Sequence, residues 1–224
     1  MRRLLFYFLF TSVAFAQSAI TAKKLNDSAY NSYKQNPKAA LELFKKAFAL
    51  AEKDLSNIEI ARAKNGMSAV YFDLGQFSNV LSTAQYVLSN TSDPLQTANA
   101  HNNIGRSNRL LGKYEEALNS YLKAKDIYTA LDEKRLEATV TNNIGLVYSY
   151  LNITDKAIDY HLKAKKVFEQ LGDKKGISQA YNNVAIIYAN QGDLRKALDY
   201  FKYSLAIEEE LEDKKGIAES ANNV

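Results

Sequence analysis

A chain of 224 residues, 46% of them hydrophobic, is long and apolar enough to bury a continuous core. Its formal charge is +4, and losing the first 16 residues would remove Arg2 and Arg3 from the 29 basic residues, leaving 27 against 25 acidic ones. That near balance, with no clustered basic patch, argues against a nucleic-acid partner, and the absence of cysteine excludes disulfides and thiolate-bound metals.

The chain opens on Met1-Arg2-Arg3, then an almost wholly apolar run from Leu4 to Phe15 ending in the small-x-small triplet Ala14-Phe15-Ala16. This is the order of a secretory signal peptide. The run is well short of the ~20 residues that a membrane-spanning helix needs. Residues 1–16 are therefore expected to be cleaved, leaving 17–224, starting at Gln17, on the periplasmic or extracellular face.

From about Ile20 the sequence falls into paired helical patterns. Lys23 to Gln35 is a polar helix with Leu25, Ala29 and Tyr33 on its apolar face, as suits a terminal capping unit. Asn36-Pro37 supplies an N-cap and a first-turn proline. Ala40, Leu41, Phe44 and Ala47 mark the buried face of the helix that follows. Ile58 to Leu74 and Phe77 to about Leu88 form a second pair across Gly75, with Tyr71 on the packing side. Asp93-Pro94 repeats the cap-and-proline start, so both prolines stand at helix beginnings.

Beyond Asp93 the sequence repeats. Within Glu137–Gly176, Asn142-Asn143-Ile144-Gly145 recurs 40 residues earlier as Asn102-Asn103-Ile104-Gly105 and 40 later as Asn182-Asn183-Val184-Ala185, and Asn222-Asn223-Val224 begins it again. Ala157 matches Ala117 and Ala197, His161 matches Tyr121 and Phe201, and Leu171 matches Leu131 and Leu211. A fixed period of this size signals stacked repeats. In each unit a first helix, such as Lys174 to Gln191, carries Ala180, Val184, Ile187 and Tyr188 on one face. A second, such as Leu194 to Leu211, carries Ala197, Leu198, Phe201, Leu205 and Leu211 on its buried side. Gly192, Gly112, Gly75 and Asn152 fill the turn, where a left-handed residue is wanted. The linkers are short and charged, so 17–224 reads as one domain of about five helix pairs. Ile217–Val224 opens a sixth, which marks the sequence as part of a longer chain.

The order Ile144, Gly145, Tyr148, Asn152, Ala157, His161, Ala164 resembles the tetratricopeptide repeat. The usual unit has about 34 residues, and one of 40 resembles the longer variety of kinesin-light-chain-like and bacterial peptide-sensing proteins. His161 departs from the aromatic position and Asn108 from the tyrosine seen at Tyr148 and Tyr188. Thr97 to Gly216 carries the resemblance most fully. It implies an all-α, right-handed superhelical solenoid of stacked antiparallel helix pairs. It also implies a concave groove, lined by first helices, that binds an extended protein or peptide segment.

Nine asparagines sit inside these first helices, although asparagine is a mediocre helix former. Asn65, Asn102, Asn142, Asn182 and Asn222 each stand three residues before the small position, and Asn103, Asn143, Asn183 and Asn223 follow them. The resemblance implies that such asparagines bond the ligand's backbone; the alternative is that they bond across neighbouring helices and hold the stack together, and the expectation favours ligand contact for the first set and structure for the second. Asn142→Ala is accordingly expected to weaken binding and leave the fold largely intact. Arg106, Arg109, Leu146, Ser149, Tyr150, Ile186 and Asn190 resemble the variable groove positions that set specificity.

Other chemistry is weak. Gly112-Lys113 lacks phosphate-loop spacing, and Tyr114 stands where Ser or Thr is needed. His101 and His161 have no partners at ligand spacing, so neither metal nor other cofactor is expected. Glu208-Glu209-Glu210 reads as a solvated helix face. No catalytic arrangement is visible, which points to a non-enzymatic binding module. The alternative is the extracytoplasmic sensor region of a larger receptor, joined to a histidine kinase or DNA-binding regulator and attached to the membrane through a part beyond residue 224.

Overall fold

The computed structural model describes residues 21–213 and 216–218; segment 1–16, expected as a signal peptide, and Asn222 lie outside the described residues. All regular structure among the described residues is α-helical. The helices group into two compact units, Met1–Ser107 and Asn108–Val224.

The first unit holds α1 (21–32), α2 (Pro37–Lys53), α3 (Asn57–Asp73), α4 (Phe77–Asn90) and most of α5 (Pro94–Leu110). Both proline starts form as the sequence implies. The Asn36 side chain accepts from the Ala39 N–H at 3.1 Å, and Asp93 Oδ1 accepts from the Gln96 N–H at 2.8 Å. Phe44 packs with Ala29, Ala40, Met67 and Val70. Position 66 must be glycine, because a Cβ there would lie 2.3 Å from the Phe44 ring. A buried polar tie joins α1 to α3. Asn26 Nδ2 donates to the Glu59 carbonyl at 3.0 Å and to Glu59 Oε2 at 2.8 Å. Arg62 then bridges Glu59 at 3.0 Å and Asp27 at 2.6 Å. The carboxylate is thus buried with its charge paired. The spacing to the next repeat shrinks from 40 to 37 because α4 has 14 residues where other second helices have 17.

The second unit holds α6 (Tyr114–Ala130), α7 (Lys134–Tyr150), α8 (Thr154–Gln170), α9 (Lys174–Asn190) and α10 (Leu194–Glu210). Each packs on the next in sequence, and the two first helices α7 and α9 also touch. Gly112, Asn152 and Gly192 take φ of 73°, 61° and 80° in the turns, as Gly75 does at 70° in the first unit. Tyr148 stacks on Tyr160 at 5.3 Å under Lys156, and one period later Tyr188 stacks on Tyr200 at 5.6 Å under Lys196. These rings spend their faces on each other, so they fasten helix pairs. Successive repeats are also tied by Arg135 to Asp173 at 2.7 Å and by Lys175 to Asp213 at 3.1 Å.

Two expectations are corrected. Leu211 is not on a buried face: it caps α10 in the turn and is 41% exposed, as Leu131 and Leu171 are at their turns. Glu208 is not on a solvated face, being only 7% exposed. One period places it where Tyr128 and Phe168 stand, on the side of the second helix that packs inward. The Ser178 and Ser204 hydroxyls donate to its Oε1 at 3.2 and 3.0 Å, while Glu209 and Glu210 remain exposed. Among the described residues no helix is long and apolar enough to cross a membrane.

Candidate functional site: a cleft between two first helices

The contact of α7 with α9 leaves a cleft of about 210 Å³ between them. Leu146, Ser149 and Tyr150 face it from α7, and Asn183, Ile186, Ile187 and Asn190 from α9. Each set follows the i, i+3, i+4 spacing that puts side chains on one helical face. The walls are apolar with amides and hydroxyls among them, and no charged residue lines them. The volume is below the ~300–1,000 Å³ of a typical small-molecule pocket. It suits one large side chain of a longer ligand.

Tyr150 is 55% exposed, yet its ring is held. It stacks on Tyr114 at 5.4 Å with an interplanar angle of 9°, and the Arg109 guanidinium lies 5.9 Å from its centroid. A large exposed aromatic fixed in this way has little rotamer freedom left to lose on binding.

The expected site residues divide. Tyr150 and Asn190 line the cleft, with Leu146, Ser149 and Ile186 of the specificity positions, and Arg109 stands beside Tyr150. Arg106 lies in the first unit, its guanidinium 3.8 Å over the Phe72 ring. Asn65 is buried there and ties α3 to α5, donating to the Gln96 carbonyl and Oε1 at 3.0 Å each. Asn102 and Asn182 are half-buried, each with a buried amide oxygen that has no partner among the described residues.

Asn142 is buried and bonds inward, its Oδ1 2.6 Å from His161 Nδ1 and 3.4 Å from Asn183 Nδ2. Asn183 was expected to hold the stack, and its Nδ2 does reach from α9 to Asn142 on α7, but the residue also lines the cleft. Its spacing to Ile186 and Asn190, three and seven residues, was the signal in the sequence that marked it. Ile187, expected as core, also contributes to the wall.

His161 occupies the place of a buried aromatic and is itself fully buried. A Cβ at position 145 would lie 2.7–2.9 Å from its ring atoms, so Gly145 makes room for it. Burial pushes the imidazole pKa down to about 4, which keeps the ring neutral at physiological pH. Its Nε2 is buried with no partner. Among the described residues no three His, Cys, Asp or Glu side chains converge.

A tetratricopeptide repeat family model matches residues 96–170 and 154–210, together just over half of the chain. No curated protein matches it in sequence. Among solved structures, aspartyl phosphate phosphatase F from Bacillus subtilis superposes with a TM-score of 0.76 at 21% identity, covering 99% of this chain. The match spans 59% of that protein, less than two thirds of its length. The apo form of RapI gives 0.73 at 22% identity, covering 89% of this chain and 74% of the other. A thermophilic TPR protein of Thermus thermophilus gives 0.67 at 18% identity, covering 90% and 98%. At such identities the likeness is one of fold.

Proposed function

The chain belongs to the tetratricopeptide repeat family, and we propose that it is an exported, non-enzymatic module that holds an extended protein or peptide segment against its first helices. The fold is a scaffold for protein–protein interaction, since stacked helix pairs offer long surfaces. The observation that carries the finer reading is the cleft between α7 and α9. It is uncharged, lined by residues at helical spacing, and flanked by a tyrosine whose ring is stacked in place. A peptide side chain entering it would bury apolar surface against Leu146, Ile186 and Ile187. Asn183, Asn190 and Ser149 would meet the polar backbone on either side. Export is the reading of the basic, apolar and small-x-small order of residues 1–16.

A phage-displayed library of 12-residue peptides, selected on the whole protein, tests the binding reading. Peptides that enrich should lose affinity by about 1–3 kcal/mol when Ile186→Asp places a charge in the cleft. Enriched peptides that bind Ile186→Asp as well as wild type would rule the cleft out. N-terminal sequencing of protein recovered outside the cytoplasm tests export: the expected first residue is Gln17, and a cytoplasmic chain starting at Met1 would refute it.

A further inference from the structure

Asn142 and Asn182 hold the same repeat position, but the second-helix residue that serves each differs. Phe201 packs with Ala185, and Asn182 keeps a buried oxygen without a partner. His161 packs against Gly145, and Asn142 Oδ1 lies 2.6 Å from its Nδ1. The proton on this ring can be assigned. Nε2 is buried with no acceptor, so a hydrogen there would be orphaned, which costs more than an orphaned lone pair. Nδ1 therefore donates, and Asn142 Oδ1 accepts. The same oxygen lies 3.4 Å from Asn183 Nδ2. Asn183 then turns its amide nitrogen toward α7 and leaves its carbonyl oxygen free for the cleft that it lines.

We propose that His161 is a positioning residue: through Asn142 it fixes Asn183 so that the cleft presents a hydrogen-bond acceptor, which selects a peptide backbone N–H, and acid undoes the arrangement. This rests on the peptide-binding reading above. A second proton would have to go on Nε2, inside the core and away from any acceptor. The charged ring is stable only if it leaves its place, and the Asn142–Asn183 pair loses its anchor when it does.

Among the described residues no charged side chain shifts that proton's binding. Burial alone shifts the ring's titration, and α7 meets it with Asn142 and Gly145. Charged groups on the helices packed around it are engaged with one another: Glu137 with Lys125, Asp159 with Lys163, Lys165 with Glu169, and Lys175 with Asp213.

The test uses the whole protein and His161→Phe, which reproduces the Phe201 arrangement of the next repeat and should stay folded by circular dichroism. Nitrogen NMR of the free protein should show the neutral Nδ1–H tautomer of His161, with the Asn183 side-chain amide signals displaced in His161→Phe. An Nε2–H tautomer, or Asn183 signals indifferent to the substitution, would overturn the relay whether or not any peptide binds. The binding probe is the tightest peptide from the displayed library. Wild type should bind it about twofold more weakly at pH 4 than at pH 7.5, the loss expected when half of the rings are protonated. His161→Phe should bind it several-fold more weakly at pH 7.5 and show no further loss in acid. The same acid loss in both proteins would overturn the proposal. A library that enriches nothing defeats the parent reading instead, and the amide signals, which need no ligand, tell the two failures apart.

Discussion

The pairs α7–α8 and α9–α10 share many repeat positions, although buried Glu208 stands in the second where Phe168 stands in the first. Asn142 matches Asn182, Tyr148 matches Tyr188, Ala157 matches Ala197 and Tyr160 matches Tyr200. They differ at the centre, where His161 with Gly145 replaces Phe201 with Ala185. The difference shows that a polar ring enters a packed interior as part of a set. Gly145 yields the space for the ring, and Asn142 supplies its hydrogen-bond partner. In the other pair the space is closed by Ala185, the ring needs no partner, and the asparagine oxygen goes unused. The two pairs are an internal control for each other.

The largest expected effect comes from emptying either centre. Phe201→Ala should cost about 3–5 kcal/mol of unfolding free energy. His161→Ala should cost about 3 kcal/mol, because a smaller apolar transfer is joined by an unpaired Asn142 oxygen. Denaturant midpoints measure both, and a loss under 1 kcal/mol for His161→Ala would mean that the ring is not packed as described.

Acid separates the pairs next. His161 has a pKa of about 4 in the fold against 6.5 when unfolded, so the unfolded chain takes up the proton first. Its contribution is complete above about pH 6.5 and disappears as the pH falls to about 4, roughly 3 kcal/mol in all. Urea unfolding at a series of pH values should show this loss in wild type and its absence in His161→Phe.

Gly145→Ala should destabilise by about 1–3 kcal/mol, since the new methyl meets the buried imidazole at 2.7 Å. The converse change, Ala185→Gly, should cost about 1 kcal/mol through helix propensity alone. Combining Gly145→Ala with His161→Phe sharpens the comparison: the double variant copies the Ala185–Phe201 arrangement and should recover part of the loss.

The asparagines come next. Asn142→Ala should cost about 1–2 kcal/mol because it strands the His161 N–H, so its effect on the fold is larger than the sequence alone implied. Asn182→Ala removes an oxygen that has no partner and should be near neutral. Equal losses at both positions, measured by thermal unfolding, would contradict the relay. The turns differ least. Asn152→Gly should stabilise by a few tenths of a kcal/mol, whereas Gly192→Ala should cost about 1 kcal/mol at its φ of 80°.

Much of the fold was legible in the sequence because its causes are local or periodic. The 40-residue period reports a repeated packing problem, the caps at Asn36 and Asp93 satisfy their own helix starts, and Gly or Asn in the turns meets a backbone requirement. Each depends on residues a few positions apart, so composition and spacing suffice to find it. The site was legible in part, and Tyr150, Asn190, Leu146, Ser149 and Ile186 do share one cleft. Depth was not legible. A helical pattern gives the angle at which a side chain leaves its own axis, but burial depends on which neighbour stands opposite and how close it comes. Asn142 turns inward because His161 waits 19 residues later on another helix, while the adjacent Asn183 reaches the cleft. Glu208 is buried because Ser178 and Ser204 converge on it, and Leu211 is exposed because the chain has already turned away. The sequence by itself determined the repeating helix pairs and their turns, through forces that act within a helix or across one turn. Which asparagine reaches the cleft and which meets a histidine was decided by contacts between helices, whose geometry no single repeat contains.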